Sequence, residues 1–199
     1  MRLVFASNNA HKLEEVRGIM PEHIEVLSLH DVGFEQEIEE TGTTLEQNSA
    51  LKAEAVYQWL QDKIVNGQIV NIFGVFADDT GLEIDALGGK PGVYTARWAG
   101  EPAANRKKAL AELADKEDRS AQFRTVIMLI KMTGERLTVS GVVRGRIATE
   151  EYGQGGFGYD PVFIPQGYDK TFGELPAEVK NLISHRARAI AALVEELNR

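Results

Sequence analysis

The sequence predicts an α/β or α+β fold, on three observations. Helical and strand-like patterns mix along the whole chain instead of separating into blocks. No internal repeat, low-complexity tract or clear linker divides it. Its 199 residues suffice for one substantial domain or for two lobes around one core, and 43% apolar with 26% charged residues is the balance of a globular chain.

The elements follow in order. Arg2 to Ala6 reads as an opening strand. "SNN" then supplies helix caps, and Leu13, Val16 and Met20 mark one helical face that Pro21 ends. Asn48 to Leu60 is a second helix, with Leu51, Ala55, Val56, Trp59 and Leu60 on its apolar side. The apolar run "IVNIFGVFA" contains a buried strand, Ile72 to Ala77, which stops at Asp78 and Asp79. Gly88, Gly89, Pro91 and Gly92 make a loop. Ala103 to Leu113 is helical, and its basic cluster Arg106, Lys107 and Lys108 reads as a solvated face. Phe123 to Lys131 and Leu137 to Val143 are neighbouring strands joined by a turn at "TGE". "EEYGQGGFGYDP" is a long Gly-rich loop. Pro176 to Ile183 is a short helix, and Arg186 to Leu197 a longer one that aligns Ile190, Leu193, Val194 and Leu197.

Composition narrows the function. A net charge of −8 argues against a broad nucleic-acid surface, which needs clustered positive charge. A small anionic ligand stays open, because a few converging cations reverse the sign locally. With no cysteine there are no disulfides, thiolate metal sites or cysteine nucleophiles. No stretch approaches the ~18 apolar residues of a membrane span, and the start of the chain lacks a signal peptide. The expectation is a cytoplasmic protein that meets no membrane.

Two motifs fail on context. Gly153, Gly155 and Gly158 spell G-x-G-x-x-G, but Glu150 and Glu151 precede them and Pro161 follows, so the strand and helix of a dinucleotide site are missing. "GGKPG" has a Gly-Lys pair but Pro91 where a magnesium-binding hydroxyl should stand. The four histidines, at 11, 23, 30 and 185, lack metal-ligand spacing.

Others are consistent with nucleotide chemistry. In "FASNNAHK" a strand, a polar turn and a helix put the N–H groups of Asn8, Asn9 and Ala10 at a helix N-terminus, with Lys12 in the first turn. Such an end seats phosphate, or is simply capped by Asn8 or Asn9. Asn48 and Lys52 are four apart and share a helix face behind the acidic pair Glu39 and Glu40. Asp78 and Asp79 form either an Asx turn or a metal site. Both reach one metal only if the chain turns there, as Gly81 would permit. "GGFGYDP" exposes Phe157 and Tyr159 as stacking platforms and offers Asp160 to base N–H groups, while "SHR" puts His185 and Arg186 at a helix start beside the cap Ser184.

In this order the pieces resemble the RdgB-like inosine triphosphate pyrophosphatases, carried by "ADDTGLEIDALGGKPGVYTARWAG", "GGFGYDPVF" and "SHR" after Lys180. The resemblance covers nearly the whole chain. It implies one domain over 1–199, an elongated two-lobed α/β fold with a long mixed sheet flanked by helices, an active site in the interlobe cleft, and a homodimer. It implies hydrolysis of dITP, ITP and XTP to the monophosphate and pyrophosphate with Mg2+. By resemblance Ser7, Asn8, Asn9 and Lys12 hold the triphosphate with Lys52, and Glu40, Asp79 and Asp78 take the metal. Asp79 is also the proton acceptor. Thr80 stands for a substrate-binding serine, and Phe157, Gly158, Tyr159, Asp160, Lys180, His185 and Arg186 bind the base.

Asn8 replaces a usual glycine, and Thr80 adds a methyl to the serine hydroxyl; neither removes a required group. A base site that donates to the purine 6-oxo group, from Arg186 and the backbone near His185, rejects a 6-amino group. Two other readings are a Maf-type pyrophosphatase acting on other modified nucleotides and a nucleotide-binding protein without catalysis. The first lacks the "FGYD" and "SHR" pair, and the second gains nothing from three carboxylates beside a triphosphate without a metal.

Overall fold

The computed structural model describes residues 1–68 and 71–199. The first two residues of the run "IVNIFGVFA" lie outside the described residues. Among the described residues, seven strands and six α-helices follow one another: β1 (Arg2–Phe5), α1 (Ala10–Ile19), β2 (Glu25–Leu27), α2 (Leu29–Val32), α3 (Leu45–Val65), β3 (Gly74–Ile84), β4 (Lys90–Gly92), α4 (Pro102–Glu112), β5 (Ser120–Lys131), β6 (Arg136–Ile147), β7 (Phe163–Pro165), α5 (Ala177–Ile183) and α6 (His185–Leu197). The sheet order is β2-β1-β3-β5-β6-β7, with β4 also paired to β3. It is mixed: β1 runs parallel to β2 and β3, whereas β3–β4 and β6–β7 are antiparallel. Among the described residues no helix is long and apolar enough to cross a membrane.

One sequence expectation is overturned at β3. The strand does not stop at Ala77; it runs unbroken from Gly74 to Ile84, and Gly81 lies inside it. Its partners explain this. β1 pairs with Gly74 to Phe76, and β4 pairs with Leu82 to Ile84, so both ends of the segment are held extended. The supposed loop at Lys90 to Gly92 is β4 itself. The short elements β2, α2 and β7, of three or four residues each, were not expected; such lengths are too short to show a period.

The chain forms two compact units. The first comprises Met1–Asp79, Val126–Ser140 and Ala189–Arg199. Its core follows the two-residue strand period. Leu3 and Phe5 of β1 join Phe76, Ile127 and Leu129 against Val16 of α1 and Ile190 and Leu193 of α6. The alternate residues Val4 and Ala6 join Val75, Ala77 and Ile130 against Ala53, Val56 and Leu60 of α3. Strands covered on both faces read as continuous apolar runs, which is why β1 and the start of β3 were legible.

The second unit comprises Thr80–Thr125 and Gly141–Arg188. Leu82, Ile84, Phe123, Val143 and Ile147 from the strands pack with Ala109 and Leu113 of α4 and with Tyr159, Val162, Phe163 and Phe172. Phe163 lies between Phe123 and Phe172, at centroid distances of 4.7 and 5.5 Å.

Candidate active site

In the first unit, β1 hands over to α1 through Ser7, Asn8 and Asn9. Asn9 caps the helix: its Oδ1 accepts the Lys12 N–H at 3.1 Å, and its own N–H donates to Ser7 Oγ at 3.2 Å. Asn8 and Asn9 are exposed and Ser7 is half-buried, so the turn is open to a ligand. Lys12 extends from the first turn of α1 to β3, where its Nζ lies 2.9 Å from Asp78 Oδ1.

Asp79 faces a different set. Its Oδ2 accepts from Asn48 Nδ2 at 3.2 Å, and its Oδ1 lies 3.6 Å from Lys52 Nζ. That same ammonium donates to Glu40 Oε1 at 3.0 Å. Asn48 and Lys52 stand one turn apart on α3, which presents both on one face. Asn48 is fully buried, not on a solvated surface, and its Oδ1 accepts the Gly42 N–H at 2.8 Å, fixing the segment that follows Glu40. A Cβ on Gly42 would sit 2.6 Å from that oxygen, so only glycine fits so close.

The charges are tuned by burial and by each other. Burial pushes the Asp79 carboxyl above the usual carboxylate range, and the opposing pull of Lys52 and Lys12 does not cancel it. Burial alone would lower Lys52, yet the carboxylates of Asp79, Asp78 and Glu40 outweigh it and hold the ammonium above its ordinary value. Lys52 therefore stays protonated.

The three carboxylates do not gather as one ligand set. Among the described residues no group of three or more His, Cys, Asp or Glu is placed to hold a metal. The unbroken strand is the reason: Asp78 and Asp79 are adjacent in β3, so they point to opposite faces, one to Lys12 and the other to Lys52 and Asn48. The chain turn that would have let both reach one ion is not there. Glu40 and Asp79 do address a common point, since one ammonium touches both. Two hard carboxylates fit the chemistry of magnesium, which takes one or two of them and fills its shell with water and phosphate.

In the second unit, Thr80 is the first residue after that pair. Its Oγ1 lies 2.7 Å from Thr125 Oγ1 and accepts from Arg186 Nη2 at 3.3 Å. Arg186 is almost wholly buried, and the neighbouring His185 ring stacks on Phe123 at 4.6 Å. Lys180 Nζ donates to Asp160 Oδ2 at 2.5 Å, and the same oxygen accepts the Phe157 N–H at 2.8 Å. Lys180 Nζ and Arg186 Cζ lie 4.8 and 5.9 Å from the Phe157 ring centre, within reach of its π face. Gly156 makes this turn possible: its φ is +68°, and a Cβ there would fall 2.0 Å from Asp160 Oδ2.

Three readings of this unit change. Tyr159 is not an exposed platform; it is buried, its hydroxyl donates to the Thr95 carbonyl at 3.0 Å, and burial pushes its pKa up. Phe157 is half-buried. Arg106 is not part of a solvated face: its Nη1 donates to the Gly158 carbonyl at 2.9 Å. Of that basic cluster, Lys107 is exposed, and Lys108 Nζ lies over the Trp98 ring at 4.8 Å. Thr125 was also missed, although a threonine within the apolar run "TVIMLI" was a visible irregularity.

Comparison with known proteins is consistent over the full length. The Ham1 family model matches residues 3–196. A Flavobacterium johnsoniae protein named dITP/XTP pyrophosphatase is 45% identical over 200 residues, covering 99% of this chain and 98% of the relative. A Bacillus subtilis protein of the same name is 46% identical, covering 96% and 93%. Among solved structures, the Staphylococcus aureus Ham1 protein superposes with a TM-score of 0.84 at 40% identity, covering 100% of this chain and 98% of that one. A HAM1 protein from Coxiella burnetii gives 0.84 at 35% identity with the same coverage. The resemblance read from "ADDTGLEIDALGGKPGVYTARWAG" and "GGFGYDPVF" is thereby borne out, with its mixed α/β fold: the chain belongs to the Ham1 family.

Proposed function

We propose that the protein hydrolyses non-standard purine nucleoside triphosphates, dITP, ITP and XTP, to the monophosphate and pyrophosphate. The observation that carries this is the full-length similarity, at 42–46% identity, to proteins named dITP/XTP pyrophosphatase. The geometry supports it with a buried carboxylate, Asp79, set between an amide and an ammonium on α3. Pure triphosphate binding without a metal gains nothing from a carboxylate buried there.

The residues divide the work. Ser7, Asn8, Asn9, Lys12 and Lys52 would receive the triphosphate. One unit charge ~4 Å from a phosphate oxygen is worth roughly 4 kcal/mol at an effective dielectric of ~20, less desolvation. Asp79 would orient the attacking water towards the α-phosphorus and accept its proton. Burial raises its pKa and a bound cation would pull it back down, so it would accept the proton late, once bond formation has acidified the water. Asn48 keeps it aimed through the bond to Oδ2. Glu40 and Asp79 would hold Mg2+, whose chemistry there is neutralisation of charge on phosphoryl oxygens. Asp78 acts behind them through Lys12.

Phe157 would stack on the base, with Lys180 and Arg186 near its ring. His185, Arg186 and Lys180 would supply donors for a 6-oxo purine, and Asp160, which accepts from Lys180, would offer an acceptor to base N–H groups. The same resemblance suggests a homodimer, which sedimentation would test, and work on free nucleotides of the cytoplasm.

The test is pyrophosphate release from ITP, XTP, GTP and ATP, with magnesium and with chelator. Turnover on ITP and XTP far above GTP and ATP, lost with chelator, is the expected result. Equal rates on all four would overturn the substrate assignment.

A further inference from the structure

A half-buried cation outside the residues assigned above reaches the loop that carries Phe157. Arg106 projects from α4, and its side chain is 17% exposed. Nη1 donates to the Gly158 carbonyl at 2.9 Å, whereas Nε, 3.0 Å from Glu151 Oε1, pairs with that carboxylate by charge and makes no hydrogen bond. The guanidinium thus holds the Gly-rich loop beside the aromatic by a hydrogen bond and at its start by charge.

The contact at Gly158 falls on a sensitive joint. Gly158 has φ +60° and follows Phe157 directly. On its other side Tyr159 is tied to the Thr95 carbonyl, and before it the Phe157 N–H is tied to Asp160. The Gly158 peptide lies between these two anchors, and glycine allows it many orientations. Arg106 holds its carbonyl. The turn is closed by the Asp160 N–H, which donates to the Phe157 carbonyl at 3.1 Å, so a rotated Gly158 peptide would strain that closure and reach the Phe157 ring through it.

We propose that Arg106 is a positioning residue for purine recognition: by fixing the Gly158 peptide it sets the Phe157 ring against the base. This rests on the function proposed above. Arg106 touches no reacting atom, so its effect falls on base affinity and not on the chemical step.

The experiment compares Arg106→Met and Arg106→Lys with the unaltered protein, reading KM and kcat for ITP and the inhibition constant of inorganic triphosphate, which has no base. The Met variant is expected to raise the ITP KM about 10-fold, the scale of a weakened base stack, with kcat within about twofold and triphosphate inhibition unchanged. The Lys variant, which keeps the charge but cannot span both partners, should fall between. An unchanged ITP KM overturns the assignment. So does a rise in KM matched by equal weakening of triphosphate, which marks a general loosening. Should the Met variant not fold, the Lys variant decides by the same criteria. No ITP hydrolysis by the unaltered protein would overturn the functional reading itself, and this assignment with it.

Discussion

Lys12 Nζ lies 2.9 Å from Asp78 Oδ1 and joins the first turn of α1 to the middle of β3. The Asp78 side chain is 1% exposed and that of Lys12 is 15% exposed. The pair fixes the turn at Ser7 to Asn9 relative to the strand that carries Asp79. Removing one partner of a buried ion pair costs more than the pair contributes, because the other charge stays buried. Lys12→Met should lower unfolding stability by about 3 kcal/mol, read from urea titration. Lys12→Arg keeps the charge and should lose less. A Met variant as stable as the unaltered protein would show that the contact holds nothing in place.

Asp79→Asn tests the neighbouring aspartate. Asparagine keeps the shape and an oxygen for the Asn48 amide, but it neither accepts a proton nor balances Lys52. ITP turnover should fall by roughly 10²-fold or more, the scale of a lost general base. Near-normal turnover in a folded Asn variant would remove Asp79 from the chemistry.

The Thr80 hydroxyl lies 2.7 Å from Thr125 Oγ1 and accepts from Arg186 Nη2 at 3.3 Å. In the bond between the two threonines either hydroxyl can be the donor. Thr125→Val is close in shape and deletes that hydroxyl, at a cost of about 1 kcal/mol, the scale of one lost hydrogen bond at the half-buried Thr80. Thr125→Ser should recover most of the stability. Equal stability of the Val and unaltered proteins would show that the two hydroxyls do not depend on each other.

Much of this was legible in the sequence, and what was not has physical causes. β1, α1 and α6 announce themselves by strand and helix periods, since apolar faces must be buried. The site residues were readable as types in order. Their connections were not: Lys12 meets Asp78 across 66 residues, and Arg106 meets Gly158 across 52, so no local pattern records either bond. The misreading of Asp78 and Asp79 as a strand end came from charge. Adjacent aspartates favour turns locally, but pairing to β1 and β4 and the ammonium groups of Lys12 and Lys52 make an extended, buried placement tolerable. Tyr159 was misplaced for a related reason. Glycines precede it, yet one hydroxyl bond to Thr95 and a place in the second core draw it inside.

A last prediction concerns acid stability at α2. Ser28 caps this short helix, and Asp31 completes the capping box: its carboxylate accepts the Ser28 N–H at 2.8 Å, and its own N–H donates to Ser28 Oγ at 3.0 Å. Arg17 Nη2 donates to the same carboxylate at 2.8 Å. The backbone bond from Ser28, then its hydroxyl, then Arg17 hold the Asp31 carboxyl below its ordinary value, with slight burial opposing. The unfolded chain therefore takes up the proton first as pH falls. The contribution is fully present above the unfolded value of about 3.9 and is lost as pH drops through the lower folded value. Asp31→Asn keeps an acceptor oxygen and removes only the charge. Because Asp31 is 40% exposed, the loss near neutral pH should be only about 0.5 kcal/mol. In urea titrations the gap between Asp31→Asn and the unaltered protein should hold steady from neutral pH to about 5 and close below about 4. A gap that widens with acid would mean that the folded carboxyl is raised, and that the cap and Arg17 do not stabilise the charge.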